Sequence, residues 1–240
     1  MCHDTLVRPV KNNVSTEGAA PALHKFFKST RESLQTMKIL IVADPHGSET
    51  AIQSIEEKGK DAEMILIAGD FTIFGRDERR ILQRFDAIGK PVIIIPGNHE
   101  VPEVTKRISE SLEHIIYLNE EIYEMDNRTI FAIEGNGFAH KDEHFEEVAR
   151  KLAPRLKKRK RQFGEDHRFI LMTHAPPHGT ACDTVWEDEH CGNESIERFI
   201  REWQPDFAIC GHIHEDNDTE DWIGRTHVIN PGPYGRIIDW

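Results

Sequence analysis

Cysteine, aromatic side chains and long apolar runs are all scarce in this chain of 240 residues. Its four cysteines, Cys2, Cys182, Cys191 and Cys210, cannot frame a fold of this size with disulfides, so a reducing compartment is expected. Cys182 and Cys191 lie nine residues apart in one loop, where they either pair or stand as two free thiols. Cys210 closes an apolar run and reads as a small core residue. No segment approaches the roughly 20 apolar residues that cross a bilayer, and the amino terminus lacks the apolar stretch of a secretory signal. A cytoplasmic protein without membrane contact is expected.

An excess of positive charge is missing as well. Thirty Lys and Arg against 42 Asp and Glu leave a net charge of −12, which argues against a protein that neutralises a row of phosphates along a duplex. Small anions remain compatible, because a bound cation reverses the local field. Aromatics at 8% leave little on which to stack single-stranded bases. Internal repeats and low-complexity segments are absent, and with 38% apolar residues the chain fits one large domain with an ordinary core.

What is present is a regular alternation. Five apolar runs, Ile39 to Ala43, Met64 to Ala68, Val92 to Pro96, Phe169 to Thr173 and Phe207 to Cys210, read as buried strands. Each leads into a short polar block. In order these are Asp44-Pro45-His46, Gly69-Asp70, Gly97-Asn98-His99-Glu100, Thr173-His174 and Gly211-His212-Ile213-His214. In an open α/β sheet, loops converge beyond the carboxyl ends of the strands and form the ligand crevice there. Carboxylates, imidazoles and an amide gathered at one point are costly to bury without a cation to organise them.

Helices are expected at Glu49 to Lys58, Asp77 to Ile88 and Pro102 to Leu112, which completes a βαβαβ half with a parallel sheet. Pro102 suits the first turn of its helix. Short strands follow at Ile115 to Leu118, Glu121 to Met125 and Thr129 to Ile133, then a charged helix from Asp142 to Gln162. Phe145, Val148, Leu152 and Leu156 recur there at helical spacing. The basic run Arg155, Lys157, Lys158, Arg159, Lys160 and Arg161 reads as its solvated face, with a nucleic-acid arm as the other reading. Pro154 should kink or break it. A helix at Asn193 to Trp203 and strands near His227 to Ile229 and Arg236 to Ile238 complete the pattern. Residues 1–36 are polar and form an N-terminal extension, with a short helix expected around Leu23 to Leu34. The domain proper is 37–240, and Met37 stands where an initiator could.

The candidate ligands are Asp44, His46, Asp70, Asn98, His174, His212 and His214. Seven side chains exceed one site, and their mixed oxygen and nitrogen donors suit Mn²⁺ first, then Fe, Co²⁺, Ni²⁺ or Zn²⁺, ahead of Mg²⁺ or Ca²⁺. Two ions about 3.5–4 Å apart are a recurring arrangement for phosphoryl chemistry.

The ordered blocks from Asp44-Pro45-His46 to Gly211-His212-Ile213-His214 resemble those of the calcineurin-like metallophosphoesterases, over about Met37 to Gly235. The resemblance implies an α/β fold, a four-layer α/β/β/α sandwich of two mixed β-sheets flanked by helices, with two divalent metals at the strand tips. It assigns Asp44, His46 and His214 to one metal, Asn98, His174 and His212 to the other, and Asp70 to the bridge. His99 matches the histidine that contacts the substrate phosphate and assists the leaving group. The implied reaction is hydrolysis of a small phosphate-ester substrate by a metal-bound hydroxide.

Ile73 stands where the protein Ser/Thr phosphatases of that superfamily carry a second acid, which argues against that subfamily. Thr173-His174-Ala175-Pro176-Pro177-His178-Gly179 and Asn230-Pro231-Gly232-Pro233 are similar to small prokaryotic phosphoesterases and animal brain phosphodiesterases. Phosphodiester hydrolysis is the expected activity. Competing readings are a phosphomonoesterase or a nuclease on the same site, or a non-catalytic scaffold that keeps the fold. His178 and the loop from Asp183 to His190 are expected at the rim, and the two Pro-containing stretches as stiff turns beside the site.

Overall fold

Strand and helix alternate through the first half: β1 (Lys38–Val42), α1 (Glu49–Gly59), β2 (Met64–Ala68), α2 (Glu78–Asp86), β3 (Val92–Ile95), α3 (Pro102–Ser109) and β4 (Ile115–Tyr117). The second half holds β5 (Glu121–Met125), β6 (Arg128–Ile133), α4 (Glu143–Phe163), β7 (Arg168–Thr173), β8 (Thr184–Val185), β9 (Glu189–His190), α5 (Glu194–Trp203), β10 (Phe207–Ile209), β11 (Thr219–Ile223), β12 (Thr226–Asn230) and β13 (Arg236–Asp239). This computed structural model describes residues 36–134, 139–185 and 189–240. The helix expected around Leu23 to Leu34 lies outside the described residues.

Two mixed sheets result. The first has the order β13-β1-β2-β3-β4, parallel except for the antiparallel edge strand β13. The second has the order β11-β12-β10-β7-β6-β5, with four parallel inner strands between antiparallel edges. β8 and β9 pair on their own.

Near-continuous Ile, Leu and Val runs give parallel sheets covered on both faces. In the first sheet Leu40, Val42, Ile65, Ile67 and Ile94 cluster with Ile52 and Ile55 of α1 and with Ile81, Leu82 and Phe85 of α2. Alternate residues point the opposite way, and Ile39, Ile41, Leu66, Ile93 and Ile95 are buried too. In the second sheet Phe131, Ile133, Leu171, Ala208 and Val228 cluster with Phe145, Leu152 and Leu156 of α4 and with Ile196, Phe199 and Ile200 of α5. Ile130, Ala132, Ile170, Met172 and Ile209 form its other buried face. The layers are therefore α/β/β/α, as the resemblance implies. A buried aliphatic side chain contributes about 1.5–3 kcal/mol against about 1 kcal/mol for a hydrogen bond, so these layers, more than any polar contact, fix the strand ends.

Two expectations need correction, and one strand is new. α4 runs unbroken through Pro154, which is exposed, so the carbonyl it leaves without an N–H partner lies on the watered side. Arg159 is buried instead of solvated. It donates to the carbonyls of Asp126 and Arg128 and to Thr129 Oγ1, and so closes the β5–β6 turn. Arg155 is likewise engaged, with Glu121 and Glu124. Finally, the acidic segment Thr219–Ile223 forms an unanticipated edge strand, joined to β12 through the turn Gly224-Arg225. Cys182, Cys191 and Cys210 are free thiols. Among the described residues no helix is long and apolar enough to cross a membrane.

Candidate metal centre

The five polar blocks leave the carboxyl ends of β1, β2, β3, β7 and β10. Their backbones turn sharply. Asp44 (φ 55°), His46 (43°), Asp70 (49°) and His212 (72°) all take left-handed conformations. For residues other than glycine this costs about 1–2 kcal/mol each, and such strain collects at functional sites. Two glycines allow the tips to close on one another. A Cβ at Gly97 would lie 2.1 Å from Asp70 Oδ1, and one at Gly211 would lie 2.6 Å from Asp44 Oδ2.

All seven expected ligands and His99 meet at these tips. Ligand atoms of Asp44, His46 and His214 lie within 4.8 Å of one another, and so do those of Asp70, His174 and His212. In the first group His46 Nε2 is 2.9 Å from His214 Nε2. In the second, His174 Nε2 is 3.3 Å from Asp70 Oδ2 and 3.2 Å from His212 Nδ1. Asn98 Oδ1 joins this group at 3.0 Å from both His174 Nε2 and His212 Nδ1. Asp70 Oδ2 lies between the groups, 3.9 Å from His46 Nε2. Asp44, Asp70 and His174 are buried, whereas Asn98 and His214 are exposed, so the cluster opens to solvent on one side.

Backbone carbonyls set the imidazoles. His46 Nδ1 faces Thr72 O at 3.1 Å and His174 Nδ1 faces Ala68 O at 2.8 Å. A carbonyl only accepts, so in each ring Nδ1 carries a proton and Nε2 turns toward the cluster, as in metal-ligating histidines. Burial opposes charge on His174, but its hydrogen bond to Asp70 and the charges of Asp44 and Asp70 push its pKa up to about 9. Burial likewise opposes charge on Asp70, yet the His174 hydrogen bond and charge hold its carboxyl down at about 2. Burial, with His174 beside it, lowers His212 to about 4.

Neighbouring residues brace the tips. Glu100, only the last letter of its block in sequence, accepts from the backbone N–H groups of Asp70, Thr72 and Gly97 at 2.9, 2.9 and 3.0 Å and from the Thr72 hydroxyl at 2.6 Å. Burial pushes its carboxyl up to about 7 against these donors. Asn230 donates to Ile213 O at 3.1 Å and accepts from Gly232 N at 3.1 Å, while Gly232 O accepts from Ala43 N. The expected stiff turn therefore joins the β1 and β10 tips.

Buried Asp183 accepts from Gly179, Thr180 and Gly192 N–H groups and from His190, clasping the loop between β7 and α5. His178 sits on that clasp, 3.6 Å from Asp183, outside the groups able to share an ion.

His99 Nε2 lies 3.9 Å from Asp70 Oδ2. Its Nδ1 accepts the Phe74 N–H at 3.2 Å, so in the neutral ring the proton sits on Nε2, the nitrogen that faces the cluster. The ring of Phe74 stacks on it, with centroids 4.4 Å apart and planes inclined by 27°. Nothing in the sequence singles Phe74 out beyond its place after Asp70.

The donor set suits a cation. Asp44 Oδ1 is buried without a hydrogen-bond partner, a costly state for a carboxylate oxygen. Two buried carboxylates and inward-facing imidazole nitrogens within 4.8 Å of one another in each group, with an amide oxygen 3.0 Å from two of those nitrogens, match the donors a borderline divalent ion takes.

Residues 37–216 match the family model described as Calcineurin-like phosphoesterase. No curated protein matches the chain. Solved structures share the fold at low identity. TT1561 of Thermus thermophilus is 15% identical with a TM-score of 0.63, covering 83% of this chain and 91% of its own. Phosphopantetheinyl hydrolase (PptH) of Mycobacterium tuberculosis is 11% identical with a TM-score of 0.54, covering 84% and 95%. A dimetal phosphatase of Danio rerio is 12% identical with a TM-score of 0.53, covering 82% and 87%.

Proposed function

We propose that this chain, which belongs to the calcineurin-like phosphoesterase family, is a dinuclear metal-dependent hydrolase of small phosphate esters, with phosphodiesters as its preferred class. The observation that carries the reading is the pair of ligand groups, Asp44 with His46 and His214, and Asp70 with His174 and His212. Asn98 adds to the second, and Asp70 lies between the two. These residues would hold two divalent ions, Mn²⁺ first. Bound there, the ions would acidify a water for attack on phosphorus and offset charge on the phosphoryl oxygens.

The chain's own side chains do the rest. Asp70, its carboxyl held near 2, supplies fixed negative charge between the two groups. The carbonyls of Ala68 and Thr72 keep His174 and His46 turned inward. His99 donates from Nε2 to the oxygen where charge develops as the ester bond breaks, work of about 10²–10⁴-fold for a positioned donor. Among the described residues, the ion pairs of Asp44 and Asp70 are with histidines and none is with Lys or Arg, so no fixed cation beside these carboxylates offsets the second charge of a monoester dianion, which favours the diester.

Chelator-stripped protein should cleave an aryl phosphodiester once Mn²⁺ is restored, and faster than the matching monoester. A monoester preference would overturn the diester assignment.

A further inference from the structure

Two unfavourable features coincide at one residue beside His99. Phe74 is 81% exposed, and its backbone takes φ 50°, the left-handed region that bulky side chains avoid. Gly75 follows immediately and would take that conformation without strain. The hydrogen bond to His99 Nδ1 comes from the Phe74 backbone, which any residue but proline can supply. The aromatic ring is therefore not needed for that bond.

What the ring adds is an apolar plane at the mouth of the cluster. One face lies on the His99 imidazole at 4.4 Å, and His99 in turn stands edge-on to His46 at 4.7 Å. Ile73 beside it is 48% exposed, and Val101, two residues past His99, is 54% exposed. Single exposed apolar residues need no explanation. An exposed, strained aromatic stacked on the proposed proton donor does, because strain persists where surrounding structure enforces it.

We infer that Phe74, with Ile73 beside it, is the specificity subsite for the leaving group, and that it selects esters whose departing group is a planar aromatic or heteroaromatic ring. This rests on the phosphoesterase reading above. In that hydrolysis water oxygen bonds to phosphorus, the bond from phosphorus to the departing oxygen breaks, and a proton ends on that oxygen. His99 faces the departing oxygen, so the group attached to it lies next to His99, within reach of the open Phe74 ring. Offset stacking there adds to the area buried.

The test uses Mn²⁺-loaded protein with Phe74→Gly and Phe74→Trp. Glycine keeps the positive φ and the N–H to His99 while removing the ring, and tryptophan enlarges the plane. Calorimetry with phenylphosphonate and methylphosphonate should give wild-type affinities about tenfold apart. The gap should close in Phe74→Gly and persist in Phe74→Trp. In turnover, the ratio of kcat/KM for the phenyl ester to that for the trifluoroethyl ester of methyl phosphate should fall about tenfold in Phe74→Gly. Equal wild-type affinities, or an unchanged ratio in Phe74→Gly, would overturn the subsite and reduce Phe74 to a prop for His99. Selective phosphonate binding with neither ester cleaved would support Phe74 as an aryl-binding surface but overturn the phosphoesterase reading, and with it the assignment of that surface to a leaving group. Binding of neither phosphonate would overturn both.

Discussion

Glu100 Oε2 accepts the backbone N–H of Asp70 at 2.9 Å and that of Gly97 at 3.0 Å, so one buried carboxylate locks the β2 tip to the β3 tip. Glu100→Gln would turn an amide N–H₂ toward N–H donors. Leaving such groups unpaired costs about 1–3 kcal/mol, and supporting residues of this kind typically alter metal affinity about 10–100-fold. Thermal unfolding and a Mn²⁺ titration should both show the loss. Wild-type values in both would mean that the tips hold their places without Glu100.

Asp70 and His178 separate the cluster from its rim. Asp70→Asn removes the negative charge between the two ligand groups and should lower kcat/KM about 100-fold or more. His178→Ala, at the Asp183 clasp, should change it about threefold at most, within the range of surface substitutions. Steady-state kinetics with one aryl diester compares them, and equal losses would remove the bridging role given to Asp70.

Chelator-treated protein should lose stability between pH 6.5 and pH 9. Despite burial, the hydrogen bond to Asp70 and the charges of Asp44 and Asp70 raise His174 from 6.5 to about 9. Folded His174 then keeps a proton that the unfolded histidine releases. Its contribution is full below pH 6.5 and disappears as pH rises through 9. Mn²⁺ would take the proton's place on His174, so the metal-loaded protein should show no such fall. Parallel melting curves across that range, with and without Mn²⁺, would contradict this.

His99→Ala should slow turnover about 10²–10⁴-fold while elemental analysis still finds two Mn²⁺ per chain. Loss of an ion in this variant would make His99 a ligand, a reading open to it because it also groups with His46 and Asp70.

The alternation of strand and helix and the meeting of the strand tips were legible in the sequence because each apolar run ends in a polar block, and parallel strands bring their carboxyl ends to one side; the four layers followed from the family resemblance. What stayed hidden depends on partners distant along the chain. Glu100 takes its hydrogen bonds from Asp70 and Thr72, about 30 residues earlier. Arg159 continues the spacing of Phe145, Val148, Leu152 and Leu156, a signal masked by the cations around it, and its burial follows from the carbonyls of the β5–β6 turn. β11 escaped notice because Glu220 and Asp221 are poor strand formers, and its register comes from β12. Phe74 looks like an ordinary apolar residue until its exposure and its stacking on His99 are seen.

Metal stoichiometry against activity tests the central claim most directly. Chelator-stripped protein would be titrated with Mn²⁺ while hydrolysis of an aryl phosphodiester is followed in the same samples. The account predicts no turnover without metal and a rise that saturates at two ions per chain; full activity without metal, saturation at one ion, or two bound ions without hydrolysis of any phosphate ester would contradict it.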